Sequence, residues 1–268
     1  MHPSSVYFSK CRELIDIVEK QQSAIQEAAD WFAQTILAGR MVHLFGSGHS
    51  RILVEEMWPR YGSFPGFNPI VELSLSFHNM VVGPNGQRQA MFLENVSGLA
   101  ERILRNFDLS AQDCALVVSS SGCNRVPIEM AAHFQQRKVR VVSIISRKHS
   151  EASPSQHSHG KKLQDFSDLV LDTGAPVGDA MVPIQNLRAH VAPGSTVGGC
   201  LLVNALKAEV ADRLVRAGSP PRVLIAGAVV GKAEAAEIFE SAYDEHARRL
   251  AKLYQNLGNA DRAPASSV

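Results

Sequence analysis

Two segments of the chain place glycine and serine directly after a run of apolar residues. Met41 to Phe45 precede Gly46 to Ser50, and Ala115 to Val118 precede Ser119 to Gly122. Where a strand stops at glycine and the chain restarts as a helix, backbone N–H groups and the positive end of the helix dipole stabilise an anion. Serine hydroxyls add short donors without net charge, so the pattern predicts a site for a phosphate or for sugar hydroxyls. The predicted binding residues of these loops are Ser47, Gly48, His49, Ser50, Ser119, Ser120 and Ser121.

Other interpretations of these loops stay open. The third glycine of a dinucleotide fingerprint is missing, because Arg51 stands in its place, and this argues against nicotinamide binding. Glu72 could imitate the acid that binds a ribose, although an ordinary surface carboxylate explains it as well. The three consecutive serines could form a turn whose hydroxyls cap the next helix. The corresponding places of both loops in two β-loop-α units favour the anion site.

The elements around the loops predict a doubly wound α/β fold. Strands are predicted at residues 41–45, 115–118, 139–145 and 169–171, and helices at 52–58, 127–136, 197–215 and 232–257. This alternation is typical of a mainly five-stranded parallel sheet flanked by helices. Right-handed crossovers then bring the loops to one edge of the sheet, where ligands of such folds bind. Apolar residues from Leu14 to Ile36 recur at helical spacing and add one or two helices over residues 6–38.

Composition excludes several classes of protein. The 268 residues are 45% hydrophobic, enough for one large domain. The 27 basic and 26 acidic residues nearly cancel, so no general field attracts nucleic acid or a membrane surface. The four cysteines form no CxxC pair, which argues against a zinc cage and a disulfide framework. No leader pattern or apolar run of about 18 residues is evident, so we expect a cytoplasmic protein without metal or cofactor.

The loops and one further segment resemble the ligand-facing segments of sugar isomerase (SIS) domains. The further segment is Pro193 to Thr196, before a long helix, and Asn124 and Pro127 follow the second loop. The resemblance spans roughly residues 10–255 and looks closest to single-domain bacterial SIS proteins, in which His157 to Asp172 and Gly178-Asp179 have similar counterparts. It implies a flavodoxin- or Rossmann-like SIS domain at 41–257, a helical extension at 1–40 and a flexible tail at 258–268. It also adds Asn124, Ser195 and Thr196 to the predicted binding residues.

SIS domains include aldose-ketose isomerases, N-acetylmuramic acid 6-phosphate etherases, phosphoheptose isomerases and sugar-sensing regulators, so the resemblance implies a phosphosugar ligand more firmly than an activity. We interpret the chain as an aldose-ketose sugar-phosphate isomerase. The alternatives are a sugar-phosphate lyase or etherase and a non-catalytic sensing module. Such regulators usually attach a helix-turn-helix domain, and the residues before the first strand offer one helical stripe and no basic patch.

Glu94 is the first candidate for acid/base catalysis. We expect it at the start of a helix that precedes the serine loop, where Met91, Phe92 and Leu93 would form an apolar roof and raise its pKa toward neutrality. The segment resembles that of the etherases, whose catalytic glutamate occupies a similar place. Alternatively, Glu94 only interacts favourably with the helix N-terminus.

Further candidates lie nearby in sequence. Etherases and heptose-phosphate isomerases tend to carry another glutamate about ten residues after the loop serine, but Arg60 stands there, and Glu56 is the second catalytic candidate. His49 and His78 could act as the general acid that opens the sugar ring. His157 and His159 could bind a metal, but a third ligand is not evident and we interpret them as solvated loop residues.

Cys123 has no sequence-local base and is not expected to be a nucleophile. We expect no nucleic-acid or membrane partner. The terminal helices offer more apolar surface than a five-stranded sheet needs, which predicts a homodimer or tetramer that binds a small-molecule phosphosugar.

Overall fold

The structure is a computed structural model that describes residues 2–76 and 85–255. In these ranges the strands are β1 (Val42–Gly46), β2 (Phe67–Ile70), β3 (Cys114–Val118), β4 (Arg140–Ile145), β5 (Leu169–Asp172), β6 (Ala180–Val182) and β7 (Val191–Pro193). The helices are α1 (Pro3–Glu19), α2 (Gln22–Leu37), α3 (Arg51–Met57), α4 (Leu73–Ser76), α5 (Gln87–Leu93), α6 (Leu99–Leu104), α7 (Arg125–Gln136), α8 (Arg147–Ala152), α9 (Ser195–Arg216), α10 (Gly227–Val230) and α11 (Lys232–Leu253). Two 3-10 turns cover Gly48–Ser50 and Leu163–Phe166.

Five parallel strands form the main sheet in the order β2-β1-β3-β4-β5. Val42 of β1 pairs with Phe67 of β2 on one side and with Cys114 of β3 on the other. The chain builds first to one side of β1 and then to the other, so the topological switch point lies between β1 and β3. The doubly wound α/β fold expected from the sequence is confirmed.

Side chains of the central strands alternate between two hydrophobic cores. Val42 and Leu44 of β1 lie in the core built with α2, α3 and α9, whereas Phe45 lies in the core built with α6 and α7. Successive side chains of a strand point to opposite faces of the sheet. Helices cover both faces, and this explains why the strand sequences are continuously apolar rather than alternating.

The N-terminal apolar stripe forms two helices. Phe32 and Ile36 of α2 lie in the same core as β1 and α9, with 0% and 5% of their surfaces exposed. Leu14 of α1 packs with Met181 of β6 in a smaller cluster. The predicted division at residues 40 and 257 stays a prediction, and residues 258–268 lie outside the described ranges.

Three local features differ from the sequence-based expectations. β6 and β7 form a small antiparallel sheet, which was not predicted because three-residue strands are too short to show a period. Helix α8 follows β4 and was not among the predicted helices, and the Ser146 hydroxyl caps it by accepting a hydrogen bond from the His149 N–H at 3.2 Å. The last helix ends at Leu253 rather than at Leu257.

A buried ion pair joins β1 to β3 at the edge where these strands begin. Asp113 directly precedes β3, and the Arg40 guanidinium donates to both of its carboxylate oxygens, from Nε at 2.8 Å and from Nη2 at 2.7 Å. The His43 Nε2 atom lies 3.5 Å from Asp113 Oδ2. Burial alone would raise the pKa of Asp113, but its contacts with His43 and Arg40 outweigh that effect and hold the pKa at about 2. This network lies at the sheet edge opposite the glycine- and serine-rich loops.

Gly198 is expected to tolerate no side chain, because α9 packs there on the chain that leaves β5. A Cβ atom at Gly198 would lie 2.1 Å from the carbonyl oxygen of Thr173, and a backbone atom cannot move aside as a flexible side chain can. Gly198→Ala should therefore lower the free energy of unfolding by about 1 to 3 kcal/mol in chemical denaturation. The matched control is Gly227→Ala, whose added Cβ would have Lys232 Cα at 3.4 Å as its nearest atom. An equal loss of stability in both variants would contradict this prediction.

Candidate functional site

The carboxyl ends of the parallel strands carry a cavity of about 420 Å³. Its walls come from segments that follow β1, β3, β4 and β5, so the cavity extends along the edge of the sheet where these strands end. All the binding residues predicted from the sequence line it, and their roles stay predictions. They are Ser47, Gly48, His49, Ser50, Ser119, Ser120, Ser121, Asn124, Ser195 and Thr196.

Glu94 also lines the cavity and accepts a hydrogen bond from the loop after β1. The Ser47 hydroxyl, directly after β1, donates a hydrogen bond to Glu94 Oε2 at 2.8 Å. The structure thus brings the predicted acid/base residue to the loop that was predicted to bind the ligand.

The surroundings of Glu94 raise its pKa above the 4.5 that is usual for a glutamate. Burial is the largest cause, and hydrogen bonds from Ser47 and Asn124 oppose it only in part. The direction predicted from the sequence is confirmed. The predicted apolar roof is wrong in part, since Phe92 is 72% exposed and Met91 is 56% exposed, although Met91 does line the cavity.

Glu94 ends a helix rather than starting one, which corrects the sequence-based expectation. It directly follows α5, and its N–H donates to the carbonyl of Ala90. Its own carbonyl accepts a hydrogen bond from the Val126 N–H at 2.8 Å. This second contact ties the end of α5 to the start of α7, and the side chain consequently stays beside the serine loop.

The loop after β3 leaves its hydroxyl protons available for a ligand. Ser119 Oγ accepts a hydrogen bond from the Gly122 N–H and Ser121 Oγ accepts one from the Cys123 N–H, both at 3.2 Å. A hydroxyl oxygen that accepts can still donate its own proton. Ser120 Oγ is buried and has no hydrogen-bond partner among the described residues, an arrangement that is unfavourable until an acceptor binds.

At the start of α9 the structure reveals a residue to which the sequence analysis gave no role. The Ser195 hydroxyl donates to Asp179 Oδ2 at 2.7 Å, so its proton is already engaged. Asp179 lines the cavity, as does His149 of α8, whose Nδ1 accepts a hydrogen bond from the Gly178 N–H at 3.0 Å. The sequence offered one signal, the Gly178-Asp179 pair, but the contacts of these residues with α8 and α9 are tertiary.

Glu56 lies beside Asn204 of α9, and its catalytic role stays a prediction. It is not among the described residues that line the cavity. Its carboxylate accepts a hydrogen bond from Asn204 of α9 at 2.9 Å and forms an ion pair with Arg60. Burial opposes the shift, but these contacts lower the pKa of Glu56 and make it a weaker base. His78, the remaining catalytic candidate, lies outside the described residues.

His157 is not the solvated loop residue that the sequence predicted. It is 7% exposed, and its Nε2 lies 3.6 Å from Glu129 Oε1. Its ring stacks on that of the exposed His159 with 3.5 Å between centroids. Burial is the largest cause of a lowered pKa for His157, and Glu129 acts in the opposite direction. Within residues 2–76 and 85–255, no three His, Cys, Asp or Glu side chains are grouped to hold a metal ion.

The thiol of Cys123 is 2% exposed, and burial raises its pKa. Its Sγ donates to the carbonyl of Ser121 at 3.2 Å. A thiol with these properties supports the loop and is a poor nucleophile.

In the described part of the chain, no helix has both the length and the apolar character that a membrane span requires.

The chain is similar to known proteins over most of its length. The family model of the SIS domain matches residues 6–146. A UPF0309 protein of Halalkalibacterium halodurans is 32% identical over 250 residues, which is 93% of each chain. A second UPF0309 protein of that organism is 34% identical over 220 residues, covering 82% of this chain and 88% of the relative. The chain therefore belongs to the SIS domain family and, within it, to the UPF0309 proteins.

A solved structure of phosphoheptose isomerase from Neisseria gonorrhoeae is similar to this chain with a TM-score of 0.47 and 14% identity. The alignment covers 77% of this chain and 96% of that one.

Proposed function

We propose that this protein binds a sugar phosphate in the cavity and interconverts an aldose and a ketose by moving a proton between adjacent carbons. The observation that carries the proposal is the position of Glu94 at the cavity wall. Its carboxylate has a raised pKa and accepts a hydrogen bond from Ser47. A base whose pKa is nearer the working pH can both take a proton from carbon and return it. Membership of the SIS domain family supports a sugar-phosphate ligand.

The proposed phosphate site is the serine loop after β3 together with Ser50 of the loop after β1. Its hydroxyls donate to the phosphate oxygens, and the buried Ser120 Oγ gains a partner when they do. No lysine or arginine is among the described residues that line the cavity. The phosphate is therefore held by charge-assisted hydrogen bonds rather than by an ion pair.

In the proposed reaction, the Glu94 carboxylate takes the proton from C2 of the open-chain aldose. The electron pair of that C–H bond forms the C1–C2 double bond while the C1 carbonyl oxygen takes a proton from a water molecule, and an enediol results. The proton on Glu94 exchanges with solvent during the lifetime of the enediol, and Glu94 then delivers a proton to C1. The O2 proton passes to the hydroxide that this water left behind and the C2 ketone forms, so every atom and charge is accounted for.

Hydrogen exchange separates this activity from its alternatives. An isomerase exchanges the C2 hydrogen of its substrate with solvent deuterium, as seen by proton NMR, and yields a ketose. An etherase with the same base releases lactate from a muramyl substrate. A sensing module binds its ligand and turns over neither.

Ser121→Ala and Ser50→Ala should each weaken the binding of a stabilising sugar phosphate by about 1 to 2 kcal/mol, because each removes a hydrogen bond to a charged group. The measurement is a thermal-shift screen of sugar phosphates, since a ligand of the folded state raises the unfolding midpoint. At a fixed ligand concentration, each variant should show a smaller rise than the wild type.

Ser219→Ala is the matched control, because Ser219 is exposed and is not among the cavity-lining residues described. It should respond to the ligand as the wild type does, and unphosphorylated sugars should stabilise all four proteins much less. Unchanged midpoint shifts in both cavity variants would rule out the serine loops as the phosphate site.

We also propose assembly into a homodimer or tetramer. Phe8 and Ile15 on α1 leave 59% and 41% of their surfaces exposed, and apolar helix faces of this kind are commonly buried against another chain.

A further inference from the structure

Asp179 is a charged residue of the cavity wall that the proposed reaction does not use. Its carboxylate accepts three hydrogen bonds at the start of α9. Oδ1 accepts from the Gly194 N–H at 3.0 Å and from the Ser195 N–H at 2.7 Å, and Oδ2 accepts from the Ser195 hydroxyl at 2.7 Å. Free N–H groups at the start of a 22-residue helix would attract an anionic group of a ligand. Here the carboxylate of the protein itself takes that place.

The backbone holds Asp179 in this position. Its φ of 68° lies in the left-handed region, which is uncommon for residues with a Cβ and in which Asp and Asn are enriched. The preceding Gly178 N–H is bound by His149 of α8, and the Asp179 carbonyl accepts a second contact from the Gly194 N–H at 3.1 Å. The carboxylate is thus fixed from both α8 and α9.

Glu94 and Asp179 are the carboxylates among the described residues that line the cavity, and different elements hold them. Glu94 is bonded to Ser47, which follows β1, whereas Asp179 is tied to α8 and α9, which follow β4 and β5 in the chain. β3 and its serine loop lie between β1 and β4. A ligand whose phosphate is bound by that loop therefore shares the cavity with the carboxylate of Asp179 as well as with Glu94.

We propose that Asp179 restricts the cavity to sugar phosphates that carry no second anionic group. The inference rests on the proposed function and narrows the substrate class to phosphates of neutral aldoses and ketoses. A carboxylate on the sugar that approaches α9 meets a like charge and finds the N–H groups of Gly194 and Ser195 already bound to Asp179. A sugar hydroxyl can instead donate to a remaining lone pair of Asp179. The same discrimination disfavours a muramyl phosphate, whose lactyl group carries a carboxylate.

Two linear probes test this inference, because they differ only at C1. Glucitol 6-phosphate carries an alcohol there and 6-phosphogluconate carries a carboxylate. In calorimetric titration of the full chain, the wild type should bind glucitol 6-phosphate at least tenfold more tightly. Asp179→Asn should reduce this ratio at least fivefold, because asparagine tolerates the left-handed backbone and keeps an acceptor oxygen while removing the charge.

Asp172→Asn is the matched control, and it should leave the ratio unchanged. Asp172 Oδ1 also accepts two backbone N–H bonds, from Arg147 and Gly174 at 3.0 Å each, but Asp172 is not among the described residues that line the cavity. A wild type that binds 6-phosphogluconate equally well, or an unchanged ratio in Asp179→Asn, would overturn this inference alone. Binding of neither probe to either protein would overturn the proposed function with it.

Discussion

Glu94→Gln should lower the rate of proton exchange at C2 of a bound sugar phosphate by about 10²- to 10⁴-fold. The amide keeps the size of the side chain and can still accept the hydrogen bond from Ser47, but it cannot take a proton from carbon. The same sugar phosphate should therefore still raise the unfolding midpoint of the variant. Exchange is measured by proton NMR in deuterated solvent, and binding is measured by thermal shift.

Glu56→Gln is the matched control for this experiment. The Glu56 carboxylate contacts Asn204 and Arg60, away from the described cavity lining, so its replacement should leave the exchange rate close to that of the wild type. Full exchange activity in Glu94→Gln, or a loss in Glu56→Gln instead, would assign the base to another residue.

The pH dependence of the wild type provides a second readout for Glu94. A protonated carboxyl cannot accept a proton, so kcat/KM should fall as the pH drops through the pKa of Glu94 in the free protein. Burial raises that pKa, and the acidic limb should therefore lie above pH 4.5. A limb at or below pH 4.5 would show that Glu94 is not the group whose ionisation controls the rate.

Asp113→Asn should lower the free energy of unfolding by about 3 to 5 kcal/mol, because it removes one partner of a buried ion pair. The Asp113 side chain is 0% exposed and that of Arg40 is 13% exposed, so the guanidinium would be left without its counter-charge in a largely dry site. Chemical denaturation measures the loss. Asp212→Asn is the control, since its pair with Arg216 is on the surface, with side chains 48% and 78% exposed, and such pairs contribute about 1 kcal/mol or less.

The stability difference between wild type and Asp113→Asn should depend on pH. The pKa of Asp113 is about 2 in the folded state and about 3.9 in an unfolded chain. A group whose pKa is depressed on folding stabilises the protein above its unfolded pKa, and the contribution disappears as the pH falls through the folded value. The difference should therefore be full at neutral pH and should shrink between about pH 5 and pH 2. A difference that stays constant over this range would contradict the assignment of the depressed pKa to Asp113.

The sequence by itself predicted the layers of the fold. Val42 and Leu44 face one core and Phe45 faces the other, so each strand had to be apolar on both sides, and such a run is visible without knowing its neighbours. Glycine and serine at the ends of β1 and β3 marked the loops, because the change from strand to helix depends on local backbone conformation. Parallel strands with right-handed crossovers then bring these loops to one edge, and this explains why the predicted serines share a cavity.

Tertiary contacts decided the rest of the site. The face of α3 that packs toward α9 turns Glu56 to Asn204, and a choice between helix faces depends on a partner that lies far away in sequence. His157 is buried beside Glu129, although its polar neighbours indicated a solvated loop. Glu94 reaches the cavity because the Val126 N–H anchors the end of α5.

Asp179 shows most clearly which properties of the site come from the sequence and which come from tertiary contacts. Its type and its place beside Gly178 are written in the sequence. Only the folded chain, however, brings its carboxylate to the N–H groups of Gly194 and Ser195. Local sequence determined which segments are strands, helices and loops, since these depend on nearby residues, whereas the charges and hydrogen bonds that define the site depend on packing between segments far apart in the chain.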